Sequence, residues 1–108
     1  MVIRSCLDRD TAAFVEGKRV RAFEQCERAA VKAITKIQVV ERLVELRNLP
    51  SNRFEALRGK RDGQYSIRID DKWRVCFKWA PTEPVSEDSD ILTVPGEPYN
   101  VEITNHYD

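Results

Sequence analysis

The sequence predicts an α+β domain, helices packed on one face of a compact, antiparallel-rich sheet. Three observations carry that expectation. An apolar stripe at helical spacing occupies the first half of the chain, and strict alternation occupies the second. The length of 108 residues is that of one core, so residues 1–108 read as a single domain.

Taken in order, Val2-Ile3 with Arg4 and Ser5 predicts a short opening strand. Asp8 or Asp10 is placed to cap a first helix running to about Glu16, with Gly17 ending it. Cys26, Ala30, Ala33, Ile37, Val40 and Val44 follow at intervals of three and four, which predicts one long helix over about 23–47. Asn48-Leu49-Pro50-Ser51 stops it, because proline disfavours helical geometry in the residue before it.

The period then changes from 3.6 to 2. Ile67 and Ile69 alternate with Ser66, Arg68 and Asp70; after a tight turn at Asp70-Asp71-Lys72, Trp73, Val75, Phe77 and Trp79 alternate with Arg74, Cys76 and Lys78. This predicts a β-hairpin with an apolar face and a basic face. Residues 80–98 hold four of the five prolines and read as a long loop, with Ile91-Leu92-Thr93-Val94 pairing briefly inside it. Tyr99, Val101 and Ile103 alternate with Asn100, Glu102 and Thr104 as a last strand.

Composition excludes whole classes. With 42% hydrophobic and 33% charged residues the chain is neither fibrous nor disordered, and no apolar run approaches the ~18 residues of a membrane helix. The charged N-terminus is unlike a signal peptide, so a cytoplasmic location is expected. Formal net charge is zero, yet it is divided: residues 1–52 carry +3, residues 53–80 carry +4 and residues 81–108 carry −7. The acids Glu83, Glu87, Asp88, Asp90 and Glu97 give the loop at about 81–98 its character, that of a solvated tip or of a segment facing a basic surface. Cys6, Cys26, Cys76 and the single His106 match a zinc set in number only, since no two are spaced as paired ligands. No metal and no cofactor is expected.

The segment 52–78 is where chemistry concentrates. Arg53, Arg58, Lys60, Arg61, Arg68, Lys72, Arg74 and Lys78 fall in it, with Tyr65 and Trp73 interleaved. Arg68, Arg74 and Lys78 are expected to project from the sheet face opposite the apolar one, beside a loop bearing Arg58, Lys60 and Arg61. That arrangement suits a phosphate backbone, although a solvated sheet face explains it too. The terminal Asn105, His106 and Tyr107 supply an imidazole and a phenol, either of which can act as acid or base.

The run Asn52-Arg53-Phe54-Glu55-Ala56-Leu57-Arg58-Gly59, then Gly63-Gln64-Tyr65-Ser66-Ile67-Arg68-Ile69, then Trp73-Arg74-Val75-Cys76-Phe77 closely resembles the HigB branch of the RelE/ParE toxin superfamily. The closing Val101-Glu102-Ile103 and the opening Ile3-Arg4-Ser5 fit the same pattern, so the resemblance covers the chain outside about 81–98.

The resemblance implies a RelE-like fold, its sheet backed by two N-terminal helices. It also implies the toxin of a type II toxin–antitoxin system, a ribosome-dependent messenger-RNA endonuclease (mRNA interferase) that works without a metal. Implied partners are a HigA-type helix-turn-helix antitoxin, in a toxin–antitoxin hetero-oligomer, and the ribosome with its message; no membrane is involved. Arg74 matches the family's strand arginine, which would hold the scissile phosphate. Arg58 matches the basic position of its leucine-basic-glycine motif; Glu55 stands where many members have His, and Lys60 where many have an acid. Catalytic candidates are therefore Arg74, Asn105, His106 and Tyr107, and RNA-binding candidates Glu55, Arg58, Lys60, Arg61 and Arg68. Relatives often end Asp-Tyr-His, against Asn105-His106-Tyr107 here. Two other readings stay open at this point: a ParE-like inhibitor of DNA gyrase, and a catalytically inactive member that binds RNA or antitoxin.

Overall fold

The computed structural model describes residues 3–105. Three α-helices, α1 (Arg9–Val15), α2 (Glu27–Val39) and α3 (Leu43–Arg47), precede a sheet of four strands, β1 (Glu55–Ala56), β2 (Tyr65–Arg68), β3 (Arg74–Pro81) and β4 (Gly96–Thr104). The strands pair in sequence order, each antiparallel to the next. The α+β expectation therefore holds.

The Asp8 side chain accepts from the Thr11 N–H to start α1, and Gly17, with φ 91°, ends that segment as expected. Thr11 is fully buried, and its hydroxyl accepts the Ile103 N–H at 3.0 Å. That bond ties α1 to the end of β4 and so places the start of the C-terminal tail.

Four expectations need correction. The opening strand is absent from its described part: Arg4 and Leu7 donate to Pro98 and Val101 carbonyls, but Cys6–Val101 is a single parallel bridge. Asn100, left-handed at φ 51°, lies at the bulge where the β3–β4 register shifts, and its N–H is taken by the Ser5 hydroxyl rather than by a backbone carbonyl. Val2 lies outside the described residues.

The helix expected over 23–47 is broken twice. Residues Arg21–Cys26 form a 3-10 turn, and after α2 the backbone is extended at Val40 (ψ 142°) and Arg42 (ψ 145°). The Glu45 carboxylate accepts the N–H groups of Glu41 and Arg42 at 3.1 and 2.8 Å, which would otherwise continue the helix. The break re-phases the apolar side chains. Leu43 and Leu46 are buried, while Val40 and Val44 are only half-buried. At 100° per residue, Leu43 would lie off the buried stripe of an unbroken helix.

The loop at 81–98 is shorter than expected, because β3 runs to Pro81 and β4 begins at Gly96. Ile91–Thr93 forms a 3-10 turn rather than a strand. Its base is fixed by Arg42 Nε donating to the Thr93 carbonyl and Trp79 Nε1 to that of Val94.

One sheet face carries the paired rows Ile67–Val75–Ile103 and Tyr65–Phe77, covered by α1 and α2. Phe23 packs edge-on against Phe14 and Trp73, each at 5.6 Å between ring centroids. Burying one such aliphatic or aromatic side chain contributes ~1.5–3 kcal/mol, so this face holds the fold together.

Candidate functional site

The opposite face is polar, and the strand register dictates its layout. Glu55, Ser66, Cys76 and Glu102 lie side by side across the four strands, and Arg68, Arg74 and Thr104 form the next row. Neighbouring strands are about 4.8 Å apart, so each row brings its side chains within contact of one another.

Arg74 lies at the centre and is buried, at 7% exposure. Its Nε donates to Ser66 Oγ at 2.9 Å, its Nη2 donates to the Arg53 carbonyl at 2.6 Å, and the same nitrogen lies 3.8 Å from a Glu55 carboxylate oxygen. The guanidinium is thus held on its inner side by the protein while Glu55, largely exposed, stands at its outer edge.

The corner at Arg53 is itself unusual. It adopts the left-handed conformation (φ 45°, ψ 50°), which costs a non-glycine residue ~1 kcal/mol or more. Its N–H donates to the Pro50 carbonyl. The residue before it, Asn52, is fully buried, donates to the Leu46 carbonyl at 3.0 Å and accepts from Lys36 Nζ at 2.6 Å. The helical layer therefore fixes the corner against which Arg74 rests.

The loop 57–64 folds back over the sheet. Arg61 reaches across to Glu102 on β4 at 3.0 Å, and both side chains are mostly buried. Beneath this bridge lies the Cys76 thiol, its pKa pushed up to about 11 by burial. Arg61 and Arg74 pull that value down and Glu102 and Glu55 push it up, but burial dominates.

Arg53, Arg68 and Arg74 line a depression of about 290 Å³ together with Asp70 and Asp71. The hairpin turn uses Asp70 Oδ1 to accept the Lys72 and Trp73 N–H groups, and Arg68 pairs with the exposed Asp71. A wider hollow of about 600 Å³ lies on the helical side, lined by Phe14, Arg19, Glu24, Glu27 and Val31 among others. It holds none of the side chains of the polar sheet face, so its size gives it no chemical claim.

Sequence-predicted residues are thus brought together in part. Glu55, Arg61, Arg68 and Arg74 share the polar face. Arg58 and Lys60 are exposed on the loop beside it, Arg58 at the cap of the 3-10 turn Gly59–Arg61. Asn105 is exposed and follows Thr104, the register partner of Arg74. His106 and Tyr107 lie outside the described residues.

The face is less basic than expected, because Glu55, Glu102 and Asp71 each pair with one of its arginines. The interleaved aromatics serve packing: Tyr65 stacks on Phe54 at 5.7 Å, and Trp73 meets Phe23. The acidic segment leaves the sheet at Pro81, the far end of β3 from Arg74, and its Ile91 and Leu92 pack against the apolar core rather than on the polar face. Sequence reasoning missed β1, Ser66 and Glu102 as parts of the site. The alternation of Val101, Glu102 and Ile103 already put Glu102 on the polar side.

No helix among the described residues is long and apolar enough to cross a membrane. No curated protein matches the chain. The family model for RelE-like toxins of the type II toxin–antitoxin system HigB matches residues 12–91, a span holding α2, α3, β1, β2, β3 and the arginines described above. The chain belongs to the HigB-like toxin family, whose members act with an antitoxin partner.

Proposed function

We propose that this toxin is an endoribonuclease that cleaves messenger RNA on the ribosome by attack of a ribose 2′-hydroxyl on the adjacent phosphate. The observation that carries the reading is the Arg74–Glu55 pair, a guanidinium and a carboxylate 3.8 Å apart on the polar face. In-line cleavage needs an acceptor for the 2′ proton, a donor for the departing 5′ oxygen and cations around the developing dianion. Glu55 takes the 2′ proton as the 2′ oxygen bonds to phosphorus. Arg74 stabilises the charged phosphoryl oxygens, a role a guanidinium fills without a metal. His106 or Tyr107 protonates the 5′ oxygen as its bond to phosphorus breaks, leaving a 2′,3′-cyclic phosphate and a free 5′-hydroxyl. Arg58, Lys60 and Arg68 hold flanking phosphates, and Asn105, which follows the register partner of Arg74, adds a polar contact to the RNA. The partner that blocks this chemistry is a HigA-type helix-turn-helix antitoxin, in a hetero-oligomer with the toxin.

The test is purified toxin on ribosomes translating a defined message. Cleavage by the wild-type protein, with separate losses in Glu55→Gln, His106→Gln and Tyr107→Phe, is the expected result. Intact message at saturating toxin overturns the reading. Full activity in all three variants would move the acid and base elsewhere.

A further inference from the structure

We propose that Arg53 is a phosphate-binding residue of this face, gripping the RNA phosphate next to the one held at Arg74; the proposal rests on the nuclease reading above. Three observations converge on it.

The first is conformational. Arg53 occupies a left-handed corner (φ 45°, ψ 50°) where glycine is at ease and asparagine is tolerated, whereas a long side chain is disfavoured. The backbone needs nothing from an arginine here. Its N–H is satisfied by Pro50 and its carbonyl by Arg74, neither of which depends on the Arg53 side chain. An unfavourable residue at an otherwise satisfied corner points to use of the side chain.

The second is placement. From this corner Arg53 lines the same depression as Arg68 and Arg74. Arginine is the side chain best matched to phosphate, through paired N–H donors.

The third is the state of the acids in that depression. Asp70 is committed to the hairpin turn through two backbone N–H groups. Asp71, 92% exposed, holds Arg68 only as a surface ion pair, which a phosphate can displace at little cost. Three arginines therefore line a hollow whose two acids are Asp70, held by the turn, and Asp71, a displaceable surface partner, while Glu55 sits against Arg74 at its edge.

Arg53→Gly separates a backbone role from a side-chain role, because it relaxes the corner while removing the guanidinium. The assay is fluorescence anisotropy of a single-stranded 2′-O-methyl oligoribonucleotide, which cannot be cleaved, titrated with full-length toxin across salt concentrations. Arg53→Gly is expected to melt no lower than wild type, to bind about threefold to tenfold more weakly, and to flatten the log–log salt slope by about 0.7, the value for one lost phosphate contact on a single strand. Arg53→Lys should keep most of the slope. Equal affinity and slope in Arg53→Gly, or no binding by wild type, overturns the proposal, as does loss of antitoxin binding with RNA binding unchanged. The two readings fail separately. Binding through Arg53 without message cleavage on ribosomes removes the nuclease and keeps the subsite; cleavage lost in Arg74→Ala but unaltered in Arg53→Gly does the reverse.

Discussion

The Arg74 guanidinium donates at 2.6 Å to the carbonyl of Arg53, and Arg53 is held in the left-handed conformation at that contact. One arginine of the polar face thus fixes the backbone that presents another. Arg74 serves position as well as charge, so its replacement should show both effects.

Arg74→Ala is expected to lower message cleavage by roughly 10²–10³-fold, the cost of losing one preorganised donor. Because Ser66 Oγ loses its partner in a buried setting and the Arg53 carbonyl loses its own in a part-buried one, it should also destabilise the fold by ~1–3 kcal/mol. Urea unfolding measured beside activity resolves the two effects. Arg74→Lys should recover part of the activity, since an ammonium lacks the guanidinium's two-pronged geometry.

The Arg61–Glu102 bridge closes the loop 57–64 onto β4 with both side chains mostly out of water. Removing either partner leaves the other charge poorly solvated, so a double-mutant cycle of Arg61→Ala and Glu102→Ala should give a coupling of about 1 kcal/mol, at the upper end for partly exposed pairs. Additive effects would mean that other contacts of the loop hold it in place.

Much of this architecture was legible in the residues. Asp8 and Gly17 bounded the first helix because a cap and a left-handed stop act locally. The alternation around Ile67 and Val75 gave the register of the central hairpin because one face had to be buried. What stayed hidden depended on contacts distant in sequence. β1 is two residues long and carries no periodic signal, yet it brings Glu55 beside Arg74. Arg61 and Glu102 are 41 residues apart, and nothing local marks them as partners. Counting basic residues in 53–80 therefore overstated the charge of a face that recruits its acids from β1, the turn and β4.

Glu45 caps the break between α2 and α3, which the apolar spacing alone could not reveal. Its carboxylate holds the Glu41 and Arg42 N–H groups, so Glu45→Ala should cost about 1 kcal/mol, as for loss of a helix cap. The same change should leave Leu43 and Leu46 buried, because their packing requires the broken geometry. A lower urea midpoint with unchanged far-ultraviolet circular dichroism is the expected outcome. A clear gain in helical signal would show that Glu45 alone prevents a continuous helix.

Cys76 should make the fold sensitive to alkali. Burial raises its thiol to about 11 in the native state from the ordinary 9.0. A group whose native pKa lies above its unfolded value stabilises the fold fully below the unfolded pKa, and loses that contribution as pH rises through the native one. The stability carried by the neutral Cys76 thiol is therefore intact below about pH 9 and falls away between about pH 9 and 11. Two units correspond to at most about 3 kcal/mol. Cys76→Ala should be less stable than wild type at neutral pH, because it leaves a small void in a fully buried position. Its urea midpoint should nevertheless decline less steeply than that of wild type across the alkaline window, so the two curves converge. Alkylation supplies a second readout: at pH 8 iodoacetamide should modify the half-buried Cys6 well before Cys26 or Cys76, which lie buried. Parallel stability curves, or early labelling of Cys76, would mean that the polar face opens in solution and exposes the thiol beneath Arg61 and Glu102.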